Sequence, residues 1–504
     1  MGAVEGLLYG FSVALTPPNL LACFIGVLIG TIVGVLPGIG PIGAMALLLP
    51  STYMLSPTTA LIMLAGIYYG STYGGSTTSI LVNVPGEVAS VVTAIDGYQM
   101  ARRGRAGAAL AVSAVGSFVA GTLGVIGLIL FATLLAEVAL RFGPPEYFAL
   151  TVFGLAVLSR LTGGSLVKSL LMVGLGLALG SVGMEPISGV SRFTFGSVRL
   201  SQGIELVPVA MGLFGIAEIL TLAETRGGLP RAIAVRFREL LPTHAEWRRS
   251  VGPIFRGSVL GFLVGLIPGP AAVLSTFLSY TVERKLAKRP EEFGQGAIEG
   301  VAGPEAANNG ASQGAFVPLL ALGIPFAPAT AVLLGALVIH GIQPGPLLMT
   351  ERPEVFWGVA ASMYIGNAIL LILNLPLIGL FVSVLRIPQS LLLSLVLLLC
   401  LVGTYSVNNS LLDLWVLVGM GLLGYLFRKL GFDPAIVILA LVLGPMMEKT
   451  FRQTLFMARG DWRAILLRPL TLALLLAGLL IVLLPELYRA TRRVRAPQAV
   501  TLEP

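Results

Sequence analysis

Two stretches of this chain gather small and polar residues beside proline in otherwise apolar surroundings. In the first, Gly74, Gly75, Ser76, Thr77 and Thr78 lead to Asn83, Pro85 and Gly86. In the second, Glu305, Asn308, Asn309, Ser312 and Gln313 precede Pro318, Gly323 and Pro325. Glycine lets backbone approach a ligand closely, hydroxyl and amide groups supply neutral hydrogen bonds, and the N-terminus of a helix segment attracts an anion. Such a set can hold an anionic solute without lysine or arginine, which suits release as much as capture. Small residues also mediate close helix packing in lipid, and any one of these Gly, Ser or Thr residues alone reads first that way. As two clusters beside helix breakers they point to a site. Glu305 and Asp96 are the candidates for sensing a coupling ion, Na+ or H+, because carboxylates are costly inside a membrane. Both also read as solvated residues at a loop edge, Asp96 above all. Glu87, just past Pro85-Gly86, is open to the same two readings, and His340 reads as interfacial.

The elements that must position these residues are interrupted helices. The chain holds 62 glycines and 32 prolines in 504 residues, nearly a fifth, against a usual ~12% for the two together. Gly26 to Pro41 reads GVLIGTIVGVLPGIGP and Gly257 to Pro270 reads GSVLGFLVGLIPGP. Each is an apolar run with spaced glycines that ends on Pro-Gly, at Pro37-Gly38 and Pro268-Gly269, and these four residues join the candidate substrate contacts. Each is followed, some way along, by one of the two polar stretches. The same two breakers in the same order indicate an internal duplication, with units starting near Leu20 and Phe255.

Charge suggests how the units are oriented. No Lys or Arg precedes Arg102, so the first unit's early loop, Ser51 to Pro57, is uncharged, while its later loop carries Arg102, Arg103 and Arg105. In the second unit the early loop, Glu283 to Glu299, holds Arg284, Lys285, Lys288 and Arg289, and the later one, His340 to Glu354, has only Arg352. Basic short loops stay in the cytoplasm, so the units are expected to enter from opposite sides, the inverted-repeat plan of many secondary transporters. The linker holding Arg226, Arg231, Arg236, Arg238, Arg248 and Arg249 is then cytoplasmic too. That makes Gly252 to Thr281, broken at Pro268-Gly269, a candidate re-entrant hairpin, whose unpaired tip must line protein or a watery cavity. The expected organisation is a first transmembrane repeat unit over 1–225, a basic cytoplasmic linker over 226–252, a second repeat unit with extra C-terminal helices over 253–488, and a cytoplasmic tail over 489–504. Asp433 to Met447, short and flanked by basic residues, reads as an incomplete crossing.

Composition bounds the class. Only 11% of residues are charged, where soluble domains have roughly 25%, and the mean hydropathy is +0.92. At ~20 apolar residues per crossing there is room for about ten to twelve spans. The expected fold is an all-α, polytopic transmembrane helical protein with two inverted repeats containing broken or re-entrant helices. A soluble enzyme, a disordered chain and a disulfide scaffold are excluded, and continuous rather than alternating apolar runs disfavour a β-barrel. Cys23 and Cys400 are too isolated for a disulfide framework or a zinc site, and two histidines cannot build a histidine-rich metal centre. The formal charge of +8 comes from connectors between apolar runs, so membrane lipid and not nucleic acid is the implied partner. No basic region precedes the first apolar stretch, unlike a cleaved signal peptide.

The sequence lacks HExxH, CxxC, a Walker phosphate loop and a G-x-S-x-G elbow. Without a nucleotide motif, driving energy is expected from an ion gradient or another subunit. Three function classes remain on these residues: a solute:cation symporter, an intramembrane enzyme acting on a lipid or organic acid through Glu305 and Asn309, and a channel or scaffold component.

Leu36-Pro37-Gly38-Ile39-Gly40-Pro41, Tyr73 to Gly86 with Thr93-Ala94-Ile95-Asp96-Gly97, and Gly296 to Asn309 (GAIEGVAGPEAANN) make the chain resemble the large membrane subunit of tripartite tricarboxylate transporters, the TctA family, over essentially its whole length. The resemblance implies no enzyme and no cofactor. It implies a multi-pass permease of the bacterial inner membrane that receives an organic carboxylate from a periplasmic solute-binding protein, works with a small transmembrane subunit, and is driven by a proton or sodium gradient. The sequence departs from the family pattern at Pro270-Ala271-Ala272, at Phe326, and at Gly310-Ala311-Ser312-Gln313. Loss of close-approach glycines there is expected to reshape the second half of the pocket, so citrate does not follow from the resemblance.

Overall fold

The computed structural model describes residues 2–36, 40–161, 165–185, 188–224, 233, 241–384, 388–461, 463–466 and 468–495. The protein is 81% helical, and the described residues form one short hairpin, Gly183–Met184 paired with Ser191–Arg192. Packing divides the chain into two compact units. One comprises residues 1–141 and 204–438, the other 142–203 and 439–504. Both polar stretches and the break at Pro268-Gly269 belong to the first. Pro37 and Gly38, and most of the basic linker, lie outside the described residues.

Eight helices of the first unit carry the argument: α1 (Pro17–Val35), α2 (Pro57–Val82), α3 (Val91–Met100), α4 (Ala106–Ala139), α5 (His244–Gly265), α6 (Ala271–Leu286), α7 (Glu299–Gly314) and α8 (Pro353–Asn374). Proline opens α1, α2 and α8, where its missing N–H costs nothing and its φ is already helical. Ser56 caps α2 by accepting from the Thr59 amide at 3.2 Å. Thr243 and Glu246 form a reciprocal cap on α5.

The spaced glycines are the contact surfaces of two helix pairs. α1 packs on α2, and α5 packs on α7, as the two most extensive helix contacts of the chain. A Cβ added at Gly30 would sit 2.6 Å from the Ile67 carbonyl oxygen, and one at Gly26 or Gly34 would collide with the carbonyls of Met63 or Ser71. Gly257, Gly261 and Gly265 abut the carbonyls of Gly303, Ala307 and Ala311 in the same manner. From the other side, Gly70 and Gly74 meet the carbonyls of Val27 and Thr31, while Gly310 and Gly314 meet those of Ser258 and Phe262. Four-residue spacing of glycine lets helix backbones touch, and in lipid such dispersion contacts take the place of hydrophobic driving force.

Both polar stretches end in the same turn. α2 stops at Asn83 with φ 60°, and the helix Phe316–Leu322 that continues α7 stops at Gly323 with φ 71°. Proline follows two residues on in each, Pro85 and Pro325. Then Ser90 Oγ donates to the Glu87 carbonyl at 2.8 Å, and Thr330 Oγ1 donates to that of Ala327 at 2.7 Å, ahead of the next helix. Every one of these pairs is 240 residues apart. Because Asn83 already holds a left-handed backbone that asparagine tolerates and branched residues resist, Asn83→Gly should leave the thermal midpoint near wild type. Asn83→Val should lower stability by about 1–2 kcal/mol, read from thermal unfolding in detergent.

The sequence sets the small and polar residues beside the breaker. The structure keeps Tyr73 to Val82 helical and puts the break at Asn83, since Gly, Ser and Thr buried on a packed helix keep their backbone hydrogen bonds. Similarly Asn308 to Gln313 are the last turns of a helix. The break at Pro268-Gly269 lies where expected, between α5 and α6, with Gly269 at φ 134°. α5 and α6 pack on one another.

Among the described residues, five helical segments are long and apolar enough to cross a membrane: α1, a stretch within 88–139, Leu206–Glu224, α8 and Leu411–Lys429. Shorter apolar helices, including Ala3–Ala14, Leu166–Gly180 and Pro328–Ile339, account for much of the remaining apolar sequence. The chain is thus an all-α, multi-pass membrane protein.

The second unit contains helices Pro144–Leu161, Leu166–Gly180 and Pro469–Arg495 and most of Ala435–Met457. Of the segment read as short, Asp433 to Met447, the part from Ala435 on belongs to that 23-residue helix, which runs through Pro445 to Met457. Glu146, buried, accepts from Arg468 at 3.0 Å and from the Gly143 amide at 2.7 Å. Glu448 pairs with Arg192 at 2.8 Å.

Candidate functional site

α2 and α7 face each other antiparallel, and their polar residues meet. Thr72 Oγ1 donates to Asn309 Oδ1 at 2.8 Å, and one turn further along α2, Ser76 donates to the Glu305 carboxylate. Asn309 Nδ2 donates to Ser117 Oγ of α4 at 2.7 Å. Glu305 also accepts from Thr93 of α3 and from Ser113 of α4, the latter at 3.1 Å. The carboxylate is wholly buried. Beside it a cavity of ≈ 10 Å³, lined by Tyr73, Ser76, Thr77, Leu110, Ser113, Ala114, Asn374 and Ile378, has room for about one water molecule.

A second polar group lies at the turn after α2. Asn308 Nδ2 donates to Glu87 Oε1 at 2.6 Å, leaving Asn308 Oδ1 buried and without a partner. Gly75 gives this carboxylate its space, since a Cβ there would come within 2.8 Å of Glu87 Cγ. Gln313 packs against Gly124 of α4, and its Oε1 is likewise buried and unpaired. An unmet acceptor in such surroundings costs about 1–3 kcal/mol, so these two amides stand ready for a donor.

The remaining sequence candidates are distributed around these groups. Gly74 and Gly323 serve backbone packing and the helix end respectively. Thr78 and Ser312 bond carbonyls of their own helices, those of Gly75 and Asn308. Asn83 is exposed at its turn, whereas Pro268, Gly269 and Pro325 are buried. The Gly269 amide donates to the Phe326 carbonyl at 2.9 Å, which ties the break at Pro268-Gly269 to the one that ends the second polar stretch and places buried Phe326 at the junction.

Asp96 lies apart from this cluster, and it is fully buried rather than solvated at a loop edge. Its Oδ1 accepts from the amides of Gly294, Gly296 and Ala297 at 2.8, 2.7 and 2.9 Å, and its Oδ2 from Tyr280 at 2.9 Å. The carboxylate therefore fastens α3 to the loop that feeds α7.

Sequence reasoning passed over Thr72, Ser113, Ser117 and Asn367. Ser113 and Ser117 are one helical turn apart on a mostly apolar helix, which is a signal of a shared polar face. Asn367, within apolar α8, accepts from Tyr73 and donates to the Phe118 carbonyl at 2.8 Å.

Comparison with known proteins adds to this geometry. An uncharacterized 52.8 kDa protein in the TAR-I ttuC' 3' region of Agrobacterium vitis is 50% identical over 491 residues, 97% of each chain. An uncharacterized protein in the TAR-II ttuC' 3' region of the same organism is 47% identical over 224 residues, 44% of this chain and 93% of its own length. No solved structure matches the chain. The sequence pattern of the tripartite tricarboxylate transporter TctA family matches residues 20–439, a span that contains the packing glycines of both helix pairs and every polar residue of the cluster, and the chain belongs to that family.

Proposed function

We propose that this chain is the large permease subunit of a binding-protein-dependent secondary transporter of the bacterial inner membrane, importing an organic carboxylate by cation symport with a small transmembrane subunit and a periplasmic solute-binding protein. The observation that carries this reading is the meeting of α2 and α7: the polar ends of two glycine-packed helix pairs, broken by matched turns 240 residues apart, face one another antiparallel and bury a connected set of hydroxyls, amides and carboxylates. Antiparallel facing of equivalent helices supports the inverted arrangement that alternating access requires. Asn308 and Gln313, each with an unpaired acceptor, sit where a substrate hydroxyl or protonated carboxyl would meet them.

The test is uptake of labelled carboxylates into inverted and right-side-out vesicles carrying both membrane subunits. Accumulation of unchanged solute only when the purified cognate binding protein is added on the periplasmic face supports the proposal. Undiminished uptake without that protein, or conversion of the solute, defeats it.

A further inference from the structure

Glu305 presents an unbalanced charge. Its carboxylate is fully buried, and its described partners are three hydroxyls from three helices, Ser76, Thr93 and Ser113. Among the described residues, no Lys, Arg or His forms an ion pair with it. A carboxyl group removed from water among neutral groups either takes up a proton or is joined by a positive charge, and no fixed cation among the described residues supplies one. Valence follows from counting: one carboxylate and neutral oxygens balance one positive charge and leave a divalent ion over-charged. The donor set is oxygen only, two carboxylate and three hydroxyl atoms, which suits a hard cation and not a soft one. The hydroxyls can turn their lone pairs inward, and the adjoining cavity of ≈ 10 Å³ beside Ser76 and Ser113 has room for one further ligand water.

We propose that Glu305, Ser76, Thr93 and Ser113 form a binding site for one sodium ion. This rests on the reading of the chain as a cation-coupled permease and locates the cation within it. The site has members from α2, α3, α4 and α7, so the ion joins the first polar stretch to the second. Through Asn309, which accepts from Thr72 and donates back to the Glu305 carbonyl at 3.2 Å, its occupancy is felt one turn away. Asp96 is no part of it, because four donors already saturate that carboxylate.

The experiment is thermal unfolding of the purified full-length protein at constant ionic strength, with choline exchanged stepwise for sodium or potassium and the pH varied independently. Sodium should raise the midpoint saturably, as any ligand of the native state does, and potassium should not. Thr93→Val and Ser113→Ala should each shift the sodium dependence to about tenfold higher concentration, the loss of one bond to a charged group. Glu305→Gln should abolish it; if that variant fails to fold, the two hydroxyl variants decide. A midpoint that responds to pH but is the same in sodium and choline overturns the sodium site. Binding-protein-dependent uptake that ignores sodium would remove this site and leave the permease standing. A sodium-stabilised protein without binding-protein-dependent uptake would do the reverse.

Discussion

Gly261→Leu is expected to eliminate folded protein. A Cβ at Gly261 would lie 2.7 Å from both the carbonyl carbon and the Cα of Ala307 and closer still to the oxygen, and backbone cannot rotate aside as a side chain can. Small overpacking in a core costs about 1–3 kcal/mol. A leucine against main chain must instead part α5 from α7, and native stability amounts to only about 5–15 kcal/mol. The monodisperse peak in detergent chromatography should vanish. Gly419→Leu is the control: in the helix Leu411–Lys429 nothing lies within 4 Å of an added Cβ, and the variant should behave as wild type or be slightly stabilised by better helix propensity.

Asp96→Ala should produce the next largest loss. It removes the acceptor of three backbone amides and the Tyr280 hydroxyl in one step. The Gly294 amide is at an exposed position and can turn to water, but Ala297 is buried. With unmet buried donors at about 1–3 kcal/mol each, a cost of about 3–5 kcal/mol is expected. Asp96→Asn keeps one acceptor oxygen and should recover roughly half. Thermal midpoints measure both, and tryptic cleavage near Arg289 should accelerate in the alanine variant as the loop ahead of α7 is released.

Much of this arrangement was legible from residue types. The helix breaks at Asn83, Pro268-Gly269 and Gly323 follow from Pro and Gly in apolar runs, because few other residues end a helix inside lipid. The glycine spacing that defines α1 with α2 and α5 with α7 was visible as a pattern, though its partners were not: spacing gives a face, and only the fold says what meets it. The burial of Asp96 was illegible for that reason, since three of its four donors are backbone amides some 200 residues away that carry no side-chain signature. Ser113 and Ser117 were hidden by their apolar neighbours. Glu305 stood out because an isolated carboxylate in such sequence is rare, whereas its three hydroxyl partners come from three helices that no local pattern links.

The central claim is that the two polar stretches meet across α2 and α7, and disulfide trapping tests it most directly. Thr72→Cys with Asn309→Cys, in a chain carrying Cys23→Ala and Cys400→Ala and a protease site inserted in the 226–240 linker, brings two thiols to positions whose side chains are now hydrogen-bonded at 2.8 Å, and a bridge forms there only where the two helix backbones approach to within about 7 Å. After oxidation in membranes and cleavage of the linker, the two fragments should migrate together until reduced. Fragments that separate without reductant, with expression and folding of the variant intact, would show that the stretches do not meet.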